Sequence, residues 1–130
     1  MAFLGMLTIL VDEYDRGIEY FTKSLGFSLI EDSPLSQGKR WVVIAPDNDA
    51  GARILLAKAS TPAQSAAIGH QTGERVNLFL YTEDFDTDYS MMVKKGIDFI
   101  ETPRLETYGK VVVFRDLFGN KWDFIERRSL

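Results

Sequence analysis

Val11-Asp12-Glu13-Tyr14-Asp15 and Thr82-Glu83-Asp84-Phe85-Asp86 are one pattern written twice, 71 residues apart when Asp15 is laid on Asp86. Each copy closes an apolar run, Met6 to Leu10 in the first and Val76 to Tyr81 in the second. Runs of this kind, bounded by acidic turn formers, read as strands. Beyond each copy the apolar spacing becomes helical. Ile18, Phe21 and Leu25 lead to Gly26-Phe27, and Tyr89, Met92 and Val93 lead to Gly96-Ile97. That spacing gathers apolar side chains on one helix face. Asp15 and Asp86 suit the helix starts as caps, while Gly26 and Gly96 suit the left-handed position that ends a helix.

Three more strands complete each half: Phe27 to Glu31, Arg40 to Ala45 and Arg53 to Ala57, then Asp98 to Glu101, Lys110 to Arg115 and Lys121 to Ile125. The turn-rich Pro46-Asp47-Asn48-Asp49-Ala50-Gly51 and Asp116-Leu117-Phe118-Gly119-Asn120 separate the last two strands of each half. The expected organisation is a single α+β domain over 1–130, made of βαβββ twice. Module one covers about 1–59, a linker about 60–74, and module two about 75–130. The linker opens on Ser60-Thr61-Pro62, a helix-start signal. A helix covers one face of a four-stranded sheet, so the other face needs a second module, from the same chain or from a partner chain. Two such modules are expected to form a partly open β-barrel with a central cleft, where ligands bind.

A chain of 130 residues, 45% hydrophobic and 12% aromatic, can bury a core without disulfide staples. It has no cysteine, which removes disulfides, thiolate metal sites, iron–sulfur clusters and cysteine nucleophiles, and fits a cytoplasmic location. The stretch from Met1 to Val11 lacks a basic leader and is cut short by Asp12 and Glu13, so it reads as a buried strand with no membrane role. A net charge of −4 with interspersed signs offers no footprint for nucleic acid. Arg127-Arg128 beside Glu126 reads as a solvated tail. There is no G-x-S-x-G elbow, P-loop or dinucleotide fingerprint, and the single histidine, His70, lies in the linker.

The closing run Phe114-Arg115-Asp116-Leu117-Phe118-Gly119-Asn120-Lys121-Trp122-Asp123-Phe124-Ile125-Glu126, together with Asp15-x5-Phe21-x3-Leu25-Gly26-Phe27, resembles the vicinal oxygen chelate superfamily. Glyoxalase, bleomycin resistance proteins and extradiol dioxygenases belong to it. The resemblance covers nearly the whole chain. In its metal-dependent members it implies histidine and glutamate ligands on the first and last strands of each half. Carried over, those positions fall on Met6, Leu55, Asn77 and Asp123, of which only Asp123 is a good donor for a divalent ion. No metal and no other cofactor is expected, and metal-dependent isomerisation and ring cleavage lose their Lewis acid.

Strand alternation from Asp123 places Lys121 and Ile125 on its side, and the repeat places Arg53, Leu55 and Ala57 on the equivalent side of the first half. With Met6, Thr8, Asn77, Phe79 and Tyr81 they form an apolar pocket with a few polar points, and Tyr108 before Gly109 borders it. Two readings stand for several of these. Asp123 either contacts a ligand or pairs with Arg53 or Lys121; Arg53 either holds a ligand carboxylate or serves in a structural pair; Tyr108 is a cleft residue or a turn residue. Trp41 has no assignable face, while Trp122 and Phe124 are expected under a helix. The leading functional reading is a metal-free small-molecule-binding protein, a homodimer as the resemblance implies. The alternatives are an enzyme working through Asp123, Tyr108, His70 or an unusual metal set, and an interaction module whose pocket its own side chains fill.

Overall fold

The computed structural model describes residues 1–46 and 50–127. Asp47, Asn48 and Asp49 of the first turn, and Arg128 of the expected tail, lie outside the described residues. The fold is mixed α+β, with two sheets, neither closed on itself. The chain divides into two compact units, Met1–Ile68 and Gly69–Leu130.

In the first unit, β1 (Met6–Val11) is followed by α1 (Tyr14–Glu19), which runs on as a π-helical turn over Tyr20–Ser24. Next come β2 (Ser28–Pro34), β3 (Arg40–Ala45), β4 (Arg53–Lys58) and the short α2 (Pro62–Ala67), whose N-cap Thr61 accepts the Gln64 N–H. The sheet order is β1-β4-β3-β2, with β1 and β4 parallel. Ile9, Val11, Val42, Ile44, Ile54 and Leu56 are buried on the face against which α1 packs. Met6, Thr8, Arg53 and Leu55 alternate onto the other, more open face. A β-bulge between Leu29 and Glu31 leaves Ile30 unpaired against β3.

The second unit repeats the plan with β5 (Leu78–Thr82), α3 (Phe85–Lys94), β6 (Asp98–Phe99), β7 (Arg104–Glu106), β8 (Gly109–Arg115) and β9 (Lys121–Arg127). The order is β5-β9-β8-β6, with β7 also on β8. An aromatic chain ties helix to sheet. Phe85 meets Phe124 with centroids 5.3 Å apart, Tyr89 meets Phe99 at 4.6 Å, and Phe114 stacks on Trp122 at 5.5 Å. Trp122 and Phe124 therefore lie buried beneath the helix layer, as their alternation suggests.

Four expectations need correction. Met1, Phe3 and Leu4 are exposed; the strand starts at Met6, and only one face of it is buried. Asp15 and Asp86 do not cap, because burial of Tyr14 and Phe85 draws the first helical turn one residue earlier. Asp84 caps α3 by accepting from Thr87 N, whereas Glu13 makes no side-chain cap bond. Val93 is exposed, since a 3.6-residue turn carries it off the face shared by Phe85 and Met92. Strand β6 stops at Phe99 rather than Glu101, because the Glu101 carboxylate itself accepts the Val113 N–H at 3.0 Å in place of a ladder bond. The described structure also adds a strand, β7, that the spacing did not suggest.

The repeated aromatic–aspartate pair has a different task. Asp15 binds the Arg40 guanidinium at 2.9 Å while that cation lies 5.2 Å from the Tyr14 ring centre. Asp86 binds Lys110 at 2.6 Å while its ammonium lies 5.0 Å from the Phe85 ring. Each helix start thus clamps one cation from its own sheet, between a carboxylate and an aromatic face. Such partly exposed contacts contribute about 0.5–1 kcal/mol each. The aspartates also sit in the first helical turn, where the helix dipole favours negative charge.

Candidate functional site

The sequence-selected residues collect on the open faces of the two sheets, each within its own unit. In the first, Met6 lies opposite Arg53 and Thr8 opposite Leu55, so all four share a face. In the second, Phe79 lies opposite Asp123 and Tyr81 opposite Ile125, and Asn77 N donates to Lys121 O at 3.1 Å. Phe79 and Tyr81 each remain 56% exposed, which is high for aromatic rings on a strand. Lys121 sends its ammonium to the Glu74 carbonyl at 3.3 Å and makes no ion pair with Asp123.

Asp123 is the carboxyl on this face that burial perturbs. Its Oδ1 is buried and accepts no hydrogen bond from any described residue. Burial pushes the carboxyl above the ordinary aspartate value; the nearby Arg104 opposes that rise and Glu101 adds to it. Arg104 lies opposite Val111, which lies opposite Ile125, so it shares the Asp123 face. Its guanidinium is shared among Glu101 at 3.1 Å, Glu106 at 2.6 Å and the Tyr108 hydroxyl at 3.4 Å. Two carboxylates around one cation leave little of its charge for Asp123, which is why desolvation prevails.

Nothing in the sequence marks Arg104, Glu101 and Glu106 as site residues. Pro103 marks the segment as a loop, and nothing in the residue order shows that a short strand returns them to the sheet. Tyr108 joins the group only through Arg104, its ring being half exposed. The Gly109 that follows has a structural reason. At φ 152° a Cβ there would stand 2.2 Å from the Glu126 carbonyl oxygen, so only glycine lets β8 approach β9 this closely. His70 is exposed in a turn, and its carbonyl accepts from Gly73 N.

A 490 Å³ groove lies in the first unit, lined among others by Met6, Ile30, Glu31, Trp41, Val43 and Arg53. A second hollow, of 950 Å³, opens at the end of the second sheet between Tyr81, Leu105, Lys110, Glu126 and Arg127. There the Arg127 guanidinium lies 5.4 Å from the Tyr81 ring centre.

The two-sheet βαβββ pattern and its closing turn agree with one family model, that of the Glyoxalase/Bleomycin resistance protein/Dioxygenase superfamily, which matches residues 3–124. The chain belongs to this superfamily. An uncharacterized protein of Shewanella frigidimarina (strain NCIMB 400) is 46% identical to it over 121 residues, 92% of this chain and 90% of that one. Among solved structures, UcmS2 superposes with a TM-score of 0.83 at 23% identity, covering 96% of this chain and 98% of that chain. TnmS3, an antibiotic binding protein from Streptomyces sp. CB03234, superposes at 0.79 with 22% identity and 98% coverage of both. At these identities the structural matches establish the fold alone.

The superfamily's metal-dependent members supply a direct fit test. At the corresponding positions this chain offers a thioether at Met6, an alkyl group at Leu55, an amide at Asn77 and one carboxyl at Asp123. Divalent zinc, nickel or iron(II) calls for imidazole, thiolate or carboxylate donors converging at about 2 Å. Among the described residues no three His, Cys, Asp or Glu side chains are grouped to hold a metal. The donor set does not fit a metal bound in the superfamily's manner.

Proposed function

We propose that this member of the superfamily is a metal-free binding protein that holds a small apolar or amphipathic molecule against its open sheet faces. The observation that carries the reading is the pair of half-exposed rings, Phe79 and Tyr81, beside a carboxyl whose Oδ1 has no partner. Apolar surface with one or two convergent polar groups suits a small organic ligand. The exposure of those rings also argues against a module whose pocket is filled by its own side chains. TnmS3, described as an antibiotic binding protein, lends the reading support through a shared fold.

The proposal includes a homodimer acting in the cytoplasm, without nucleic-acid or membrane partners. The net charge of −4 and the absence of any helix among the described residues long and apolar enough to cross a membrane support those parts. Light scattering is expected to give twice the 14.8 kDa chain mass, and a monomer at micromolar concentration would overturn the dimer.

The deciding experiment pairs elemental analysis of the purified protein with thermal shifts against nickel, zinc, manganese and iron(II) and against a library of small aromatic amphiphiles. A ligand at 100 times its Kd stabilises the native state by about 2.7 kcal/mol, a readily measured shift. Binding of an organic compound without stoichiometric metal is the expected result. Stoichiometric metal, with a shift lost in Asp123→Ala, would overturn the reading.

One observation favours a second reading, a metal-free enzyme. A buried carboxyl held above its ordinary value is suited to proton transfer. That reading requires Asp123→Asn to abolish turnover of a substrate while leaving the fold intact.

A further inference from the structure

Arg53 stands apart from the other arginines of the first unit. Arg16 pairs with Asp12, and Arg40 with both Asp15 and Asp32. Arg53 is exposed and makes no ion pair or side-chain hydrogen bond with any described residue; its backbone N–H alone is tied, to Gly5 O at 3.2 Å. A free guanidinium presents a planar fork that matches a carboxylate at two points.

The surroundings of that fork are apolar and aromatic. Arg53, Met6, Val43 and Trp41 line the same 490 Å³ groove. The strand register explains why. Val43 lies opposite Leu55 on antiparallel strands, so Trp41 and Arg53 share the open face at opposite ends of it. Four residues along and one strand across place their backbones roughly 14 Å apart. Val43 forms the floor between them, while Met6, directly opposite Arg53 on β1, flanks the guanidinium end on its far side. The bulge at Ile30 adds a side wall, because the extra residue lets Ile30 and Glu31 both line the groove instead of alternating away from it. Trp41 keeps 36% of its surface exposed, enough for a ring to lie against it.

We propose that this groove takes a planar aromatic carboxylate, its ring against Trp41 and its carboxylate on the Arg53 guanidinium. The proposal rests on the binding reading above and narrows its ligand class. Glu31 shapes the selectivity. Its carboxylate accepts the Ser33 hydroxyl at 2.9 Å and sits two strands from Arg53, so it disfavours a second anionic group near the Trp41 end and does not pair with Arg53. A single negative charge at one end of a flat two- or three-ring body is the complement of this groove.

The test is isothermal titration of the full chain with 2-naphthoate and its neutral isostere 2-naphthamide, alongside quenching of Trp41 fluorescence. Trp122, the other tryptophan, is only 2% exposed and contributes a constant background. Naphthoate is expected to bind at least about tenfold more tightly than naphthamide, the size of one charge-assisted fork. Arg53→Ala should abolish that difference, Arg53→Lys should keep part of it, and Trp41→Ala should weaken both compounds about fivefold. Circular dichroism and melting curves check that each variant is folded; Arg53 is exposed, so its loss leaves the core untouched. Equal affinity for the two compounds, binding indifferent to both substitutions, or no binding of either compound overturns the proposal. None of these results touches the broader binding reading, which stands or falls on the metal analysis and the wider library.

Discussion

Replacing Asp116 by alanine should unfold the closing turn of the second unit from within. Asp116 is 5% exposed and accepts four hydrogen bonds. Oδ1 takes the N–H groups of Phe118 at 2.9 Å and Asn120 at 3.0 Å; Oδ2 takes the Asn120 amide at 3.0 Å and the Trp122 indole N–H at 2.9 Å. Three of those donors belong to buried residues, Asn120 and Trp122. A buried donor left without a partner costs about 1–3 kcal/mol. Taking the lower end for each of the three, to allow for relaxation, gives a loss of about 3 kcal/mol. With an unfolding entropy of about 2.1 cal/mol/K per residue over this chain length, that is a fall in Tm of roughly 11 °C. Asp116→Asn keeps one acceptor for the two backbone donors but turns an N–H₂ toward Asn120 and Trp122, and should cost about 2 kcal/mol. Urea unfolding followed by circular dichroism measures both. A double-mutant cycle with Trp122→Phe isolates the indole bond, with an expected coupling of about 1 kcal/mol. A loss under 1 kcal/mol for Asp116→Ala, or zero coupling, would refute this account of the motif.

Two further outcomes follow from the same geometry. Gly109→Ala forces a Cβ to within 2.2 Å of the Glu126 carbonyl and should cost roughly 2–4 kcal/mol; wild-type stability in urea would show that the strands can part there without penalty. Asp123→Asn should stabilise the fold at pH 7. The folded carboxyl titrates above its unfolded value, so its ionisation works against folding once the pH exceeds the unfolded pKa, and does so fully above the folded one. The advantage of the asparagine variant should therefore shrink toward zero as the pH falls to about 4; unfolding curves at several pH values would expose a pH-independent or reversed difference.

The architecture was legible because two copies of one pattern carried it. Strand, helix and glycine recur around Asp15 and Asp86, and β3 runs over the same residues, Arg40 to Ala45, that the alternation marks out. The role of the repeated aspartates was not legible. A residue that can cap a helix or bind a cation looks the same in a sequence, and burial of Tyr14 and Phe85 decides between them. The site divides in the same way. Parity along strands placed Met6, Thr8, Arg53 and Leu55 on one face and Phe79 and Asp123 on another, since the strand period is fixed. Arg104 and Glu101 escaped notice because a three-residue strand after a proline carries no periodic signal. Trp41 could not be oriented until the partner register of β3 was known, and the Ile30 bulge is invisible without it.

The parallel pairing of the first and last strands in each unit bears on mechanics. Met6 to Val11 runs alongside Arg53 to Lys58, and Leu78 to Thr82 alongside Trp122 to Glu126. A pull applied to the two ends of such a unit drags the paired strands past each other lengthwise, so the evenly spaced ladder bonds share the load at once instead of opening one by one. Each unit is therefore built to resist tension between its ends more strongly than its modest size implies. Threading by an unfoldase that grips the N-terminal segment should stall at β1 until the whole ladder to β4 gives way together, a rate set by the unfolding barrier.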